Sequence, residues 1–176
     1  MLKITIPAME LYDDVRNEFV TTKEQELQLE HSLVSLSKWE AKWHKPFLSN
    51  SVKKTEEEMI DYIKCMTLTQ NVKPEVYHYL TADIFNKVSE YIENPMTATT
   101  IHGQEHKPTR EVVTSELVYY WMITLGIPME CQKWHLNRLF MLINVCSVKN
   151  APNKKMSRND ILAQNRALNA ARRKHY

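Results

Sequence analysis

Two histidines flank a glutamate in His102-Gly103-Gln104-Glu105-His106, the H-x-x-E-H order of one class of zinc proteases. That chemistry needs both imidazoles on one face of a helix, one turn apart, with the carboxylate beside them. Gly103 sits inside the motif, Pro108 follows it, and no apolar helical stripe surrounds it, so the segment reads as a solvated loop. Cys131 and His135 stand four positions apart in a segment of helical pattern, with Cys146 further along. At that spacing a thiolate and an imidazole make two ligands of a zinc site, or a nucleophile and its base. Outside His102–His106, no C-x-x-C or H-x-x-x-H spacing is present to complete a metal site, and no third group is evident to orient the base. A buried cysteine acting as a small hydrophobe is the simpler reading. No paired carboxylates sit in an apolar setting, and no serine, histidine and aspartate set suggests itself. The expectation is a protein that is not an enzyme and needs neither metal nor cofactor.

The remaining candidates are contact residues. Tyr119, Tyr120, Trp121 and Trp134 lie inside two apolar segments, where the aromatic pattern reads as core ahead of a base-stacking groove. Trp39 and Trp43 are one helical turn apart among Lys38, Lys42 and Lys45, and fit either a core position or an exposed partner-binding pair. Residues 154–176 hold seven bases against the single acid Asp160, a net +6; the other residues therefore carry −4 of the chain's total of +2. A mildly acidic body with a strongly basic tail suits contact with an acidic surface. In that tail Ile161, Leu162 and Leu168 form a thin apolar stripe, with Arg166, Arg172 and Arg173 around it. These residues, with Trp39 and Trp43, are the candidate partner-binding set.

Composition constrains the elements that must carry them. With 176 residues and 43% hydrophobic content, the chain can build one sizeable core. It has two glycines, where average usage of roughly 7 per cent would give about twelve. That scarcity excludes glycine-fingerprint nucleotide folds and favours helices, which glycine weakens. The expected fold is therefore mainly α, with a small N-terminal antiparallel β element. Alternation in LKITI and EQELQLEH, either side of a turn-prone YDDVRNE, predicts two or three short strands.

Helical spacing begins near Ser32. Thr55 followed by Glu58 spells a capping box, Pro74 opens a short turn of helix, and TADIFNKVSEYIE gives a further helix. Residues 94–110 read as a loop. Two strongly apolar helices follow, one from about Thr109 to Leu125 and one from Pro128 to about Val148, expected to be the core pair. The predicted division is a mainly helical domain over 1–150 and a linker with a basic amphipathic helix over 151–176, capped by Ser157. The N-terminal residues lack the basic start and long apolar run of a secretory signal, so the three cysteines are expected to be reduced in a cytoplasm. The longest apolar run, residues 117–123, falls well short of the ~18 residues of a membrane span.

Four stretches carry a resemblance: HSLVSLSKWEAKWHKPFL, YIKCMT, ELVYYWMITLGIPMECQKWHLNRL and NAPNKKMSRNDILAQNRALNAARRK. They are similar to small tail-morphogenesis proteins of long-tailed bacteriophages, of the tail assembly chaperone type, and the resemblance runs from Leu2 to Lys174. It implies a non-enzymatic factor in the cytoplasm of the infected bacterium. Such a factor binds the helical tape-measure protein, with the tail tube protein or further copies of itself as other partners, and is absent from the finished virion. It supplies no catalytic residues. Met59, Met66, Met122 and Met141 suit either an adaptable groove for such a rod or ordinary core filling. Two other classes stay open: a head–tail connector retained in the particle, and a nucleic-acid binder acting through the basic tail. No base-reading motif accompanies the tail, so the latter ranks below the others.

Overall fold

Leu2, Ile4 and Ile6 alternate with polar residues and meet a second alternating segment, which is how a half-buried antiparallel pair is specified. In the computed structural model β1 (Leu2–Ile6) pairs with β4 (Gln25–Leu29), Leu2 opposite Leu29 and Ile6 opposite Gln25. Between them β2 (Glu10–Asp13) pairs with β3 (Glu18–Thr21), Glu10 opposite Thr21. Partner numbers total 31 in both ladders, so the second continues the register of the first. The expected two or three strands are thus four, in two antiparallel pairs that share one register, and Tyr12, Asp13 and Glu18 lie in strands where a turn was expected. The structure describes residues 1–8, 10–13, 18–21, 23–49, 51–100, 111–150 and 162–166, with backbone alone at 10–13 and 18–21.

A lone hairpin is marginal in water and needs cover. Ile4, Ile6, Leu27 and Leu29 are all buried, and Leu29 also bridges to Thr67 in antiparallel fashion. The Leu68 N–H donates to the Gln28 carbonyl at 2.8 Å and the Glu30 N–H to the Met66 carbonyl at 2.9 Å, so a short extended segment lines β4. The fold is mainly helical with this small antiparallel element at its N-terminal end.

The central helix is α1 (Leu33–Trp43). Ser32 caps it by accepting the Ser35 N–H, and Leu33, Leu36 and Trp39 are fully enclosed. It stops at His44, whose left-handed φ of 53° lets its N–H close back on the Glu40 carbonyl. Beside it packs α2 (Glu56–Met66), which opens on the expected capping box: Thr55 Oγ1 accepts the Glu58 N–H, and Glu58 Oε2 accepts the Thr55 N–H. A 3-10 turn at Pro74–Tyr79 leads to α3 (Ala82–Glu93), which packs on β1 and buries Ile84, Val88 and Tyr91.

The two apolar helices differ from expectation at their starts. α4 is Ser115–Thr124, beginning later than Thr109. The segment after Pro128 is a 3-10 turn, Met129–Lys133, followed by a break and then α5 (Leu136–Asn150). Nor are they the core pair, since α1 holds the centre and touches both α4 and that 3-10 turn. The chain divides into two compact units, Met1–Cys146 and Ser147–Tyr176. The core cluster, from Ile4 to Ile143, belongs to the first; in the second, residues 162–166 form an exposed helical turn.

Candidate partner-binding surface

α4 is held at both ends by bonds that fix which face it shows. At its start the Ser115 N–H donates to Glu40 Oε2 at 2.7 Å, while Glu40 Oε1 takes the Phe47 N–H at 2.9 Å. Glu40, buried on α1, thus acts as a cap supplied from another helix, its negative charge placed at the positive end of α4. The helix's own cap residue, Thr114, makes no side-chain bond there. At the other end Gly126 adopts a φ of 65°. The Ile127 N–H reaches the Met122 carbonyl at 2.8 Å and the Gly126 N–H the Ile123 carbonyl at 3.2 Å, a Schellman closure. Met122 and Ile127 are both buried and supply the apolar contact that accompanies it.

Ser115, Val118 and Met122 face the core. The opposite face carries half-buried Leu117, then Tyr120 at 61% exposure and Ile123 at 69%, with Glu116 the sole charged residue of the helix. Val112 before α4 and Met129 after it are also exposed. An amphipathic surface helix normally turns polar residues outward. This one turns two large apolar side chains, Tyr120 and Ile123, outward between exposed Glu116 and Thr124, and apolar groups shown in this way mark a contact site. Nothing in its composition distinguishes it from a core helix, because apolar residues on every side fit either outcome. That ambiguity is why sequence reasoning assigned α4 to the core.

A second feature is a chain of buried polar groups behind α5. His31 Nδ1 lies 2.6 Å from the Tyr62 hydroxyl, and the His31 and His135 rings meet edge to face, 5.1 Å between centroids. His135 Nε2 donates to the Tyr91 carbonyl at 3.0 Å, and its Nδ1 accepts the Asn137 N–H at 3.3 Å. The Tyr91 hydroxyl donates to Glu30 Oε1 at 2.7 Å, and Glu30 Oε2 is 3.1 Å from the Met1 ammonium. Burial, then the neighbouring His135, pushes the His31 imidazole down to about 3. Burial also lowers His135, against the opposing pull of the Tyr91 carbonyl and Glu30. Tyr62 is raised well above the usual tyrosine value, by burial first. A phenol that keeps its proton donates to the neutral His31 ring.

Trp39 is wholly enclosed against Phe47 and Tyr62, and its indole N–H donates to the Glu58 carbonyl at 2.8 Å. It is a core residue and offers a partner no surface. Trp43 is half-buried, and its indole N–H is bound to Asp61 Oδ2 at 2.9 Å. Lys42 pairs with Asp61 and Lys45 with Glu58, so these lysines brace α1 against α2. Leu162 and Arg166 lie in the exposed helical turn, whereas Ile161, Leu168, Arg172 and Arg173 lie outside the described residues. So do His102–His106 and Ser157. Met66 and Met122 are fully buried and fill the core, leaving Met59 and Met141 partly exposed.

Both ring nitrogens of His135 are engaged, which leaves it no lone pair for a metal or for the Cys131 thiol. Among the described residues no three His, Cys, Asp or Glu side chains gather as a metal-binding group. Burial pushes the Cys65 thiol up, away from the reactive thiolate. Among the described residues no helix is long and apolar enough to cross a membrane. Compared with known proteins, the chain matches no family model, no curated protein and no solved structure.

Proposed function

We propose that this protein is a non-enzymatic tail-morphogenesis factor of the tail assembly chaperone type, which shields an amphipathic helical segment of a tape-measure protein before the tail tube forms around it. The observation that carries the reading is a coincidence of two features in one segment. ELVYYWMITLGIPMECQKWHLNRL is among the stretches that resemble the phage family, and it holds Ile123 and Tyr120, the two most exposed large apolar side chains among the described residues, with Met129 also exposed. A rod of amphipathic helices aggregates when bare, and an apolar helix face is a natural cover for it. The role needs no cofactor and takes place in the cytoplasm of the infected cell.

Co-expression with the tape-measure reading frame of the same phage, followed by pull-down, tests it. The wild type should keep the rod soluble and be captured with it. Tyr120→Glu and Ile123→Glu should each weaken capture by about tenfold or more, equivalent to about 1.4 kcal/mol, with the melting temperature nearly unchanged because both side chains are exposed. Capture that survives both changes removes α4 as the contact. Stoichiometric presence of the chain in purified virions would instead favour the retained connector.

A further inference from the structure

The start of α5 is fastened to three other elements through the paired histidines. His135 bridges Ser32 in antiparallel fashion, and the Leu136 N–H donates to the His31 carbonyl at 2.7 Å, which ties α5 to the junction of β4 and α1. The Asn137 side-chain amide donates to the carbonyls of Ile92 and Asn94, both at 2.8 Å, and His135 holds the Tyr91 carbonyl, which ties α5 to the end of α3. Tyr62 reaches His31 from α2. This joint contains two imidazoles 5.1 Å apart, each almost wholly enclosed.

We infer that the His31–His135 pair is an acid-sensitive latch, which holds the start of α5 on the body when both rings are neutral and releases it, ahead of α1 and α2, when they take up protons. The argument is one of like charges and lost bonds. A proton on His31 Nδ1 displaces the Tyr62 hydroxyl as donor; a proton on His135 Nδ1 breaks its acceptance of the Asn137 N–H. Two cations at this separation, away from water, repel strongly. The titratable and charged groups facing the pair are Tyr62 from α2, Tyr91 from α3, Glu30 at the end of β4 and the Met1 ammonium. Glu30 is the carboxylate available to compensate, and it already serves Tyr91 and Met1. Opening gives both rings access to water, where their ordinary affinity for protons returns.

Hydrogen exchange read by mass spectrometry on the full chain, corrected for the intrinsic pH dependence of exchange, tests the latch. Protection over residues 136–143 should fall by up to about tenfold per pH unit, per histidine released, below about pH 6.5. Protection in α1 should change far less over the same range. The double change His31→Asn with His135→Gln keeps an acceptor for Tyr62 and a donor for the Tyr91 carbonyl but removes both titrations; it should abolish the differential loss. Parallel loss across α1 and α5 in the wild type would overturn the inference, as would a differential loss that persists in the double variant. Should that variant fail to fold, nuclear magnetic resonance of the wild-type rings decides. His31 should stay neutral in the folded state through about pH 5 and His135 should titrate below its ordinary value, and titration of either near that ordinary histidine value of about 6.5 sinks the latch.

Discussion

Gly126 has open space where a side chain would stand: a Cβ built there meets nothing within 4 Å, yet its φ is 65°. The need for glycine is therefore conformational, since an L-residue in the left-handed region costs about 1–2 kcal/mol. Gly126→Ala should lower stability by about that amount, read as a shifted denaturation midpoint at unchanged slope; a larger loss would point to a crowding that this geometry lacks. Local chemistry of this kind is legible in the sequence. Ser32, Thr55 and Glu58 declare themselves because each cap closes within three positions. Trp39 and Trp43 do not. Their indole partners on α2, the Glu58 carbonyl and the Asp61 carboxylate, lie 19 and 18 positions further along, and a tryptophan pair flanked by lysines looks the same whether it anchors a partner or a neighbouring helix.

Helices were legible by type and misread at two starts, for one reason: the groups that set those starts come from elsewhere in the chain. α4 begins at Ser115 because Glu40, 75 positions earlier, accepts its N–H. The helix expected from Pro128 breaks at Trp134 and His135 because the Leu136 N–H is spent on the His31 carbonyl. Apolar periodicity carries no trace of either bond. The Glu40 carboxylate also holds the Phe47 N–H, so one side chain braces α1, the segment after it and α4. Glu40→Gln substitutes an amide donor for one acceptor oxygen and sets it against a backbone N–H. The change should cost about 1.5–3 kcal/mol, the range for a lost bond to a charged acceptor. Exchange protection should fall first over residues 115–119. If α4 stays protected while global stability drops, the carboxylate braces the Phe47 segment alone.

Across the whole molecule the buried ionisable groups give stability a definite dependence on pH. Folded His31 has a pKa of about 3 against an ordinary 6.5, so below that ordinary value the unfolded chain takes up a proton that the folded one refuses. Its contribution is complete above pH 6.5 and drains away toward pH 3, at no more than about 1.4 kcal/mol per pH unit. Glu58 acts in the same direction over a lower range. Its bond to the Lys45 ammonium, then the Thr55 N–H, hold its carboxyl below the ordinary 4.5, so the stabilisation it brings is present above that value and lost beneath it. The melting temperature should therefore be level near neutrality, begin to fall below about pH 6.5 and fall more steeply under about pH 4.5. The two histidine and carboxylate ranges separate by substitution. Lys45→Met removes the main support of Glu58 and should take away the extra steepness below about pH 4.5 while leaving the upper limb; His31→Asn should make the fall that begins below about pH 6.5 shallower and keep that extra steepness. A wild-type melting temperature that stays constant from about pH 7.5 to pH 5 would mean that His31 charges freely inside the fold, which its enclosure between Tyr62 and His135 does not allow.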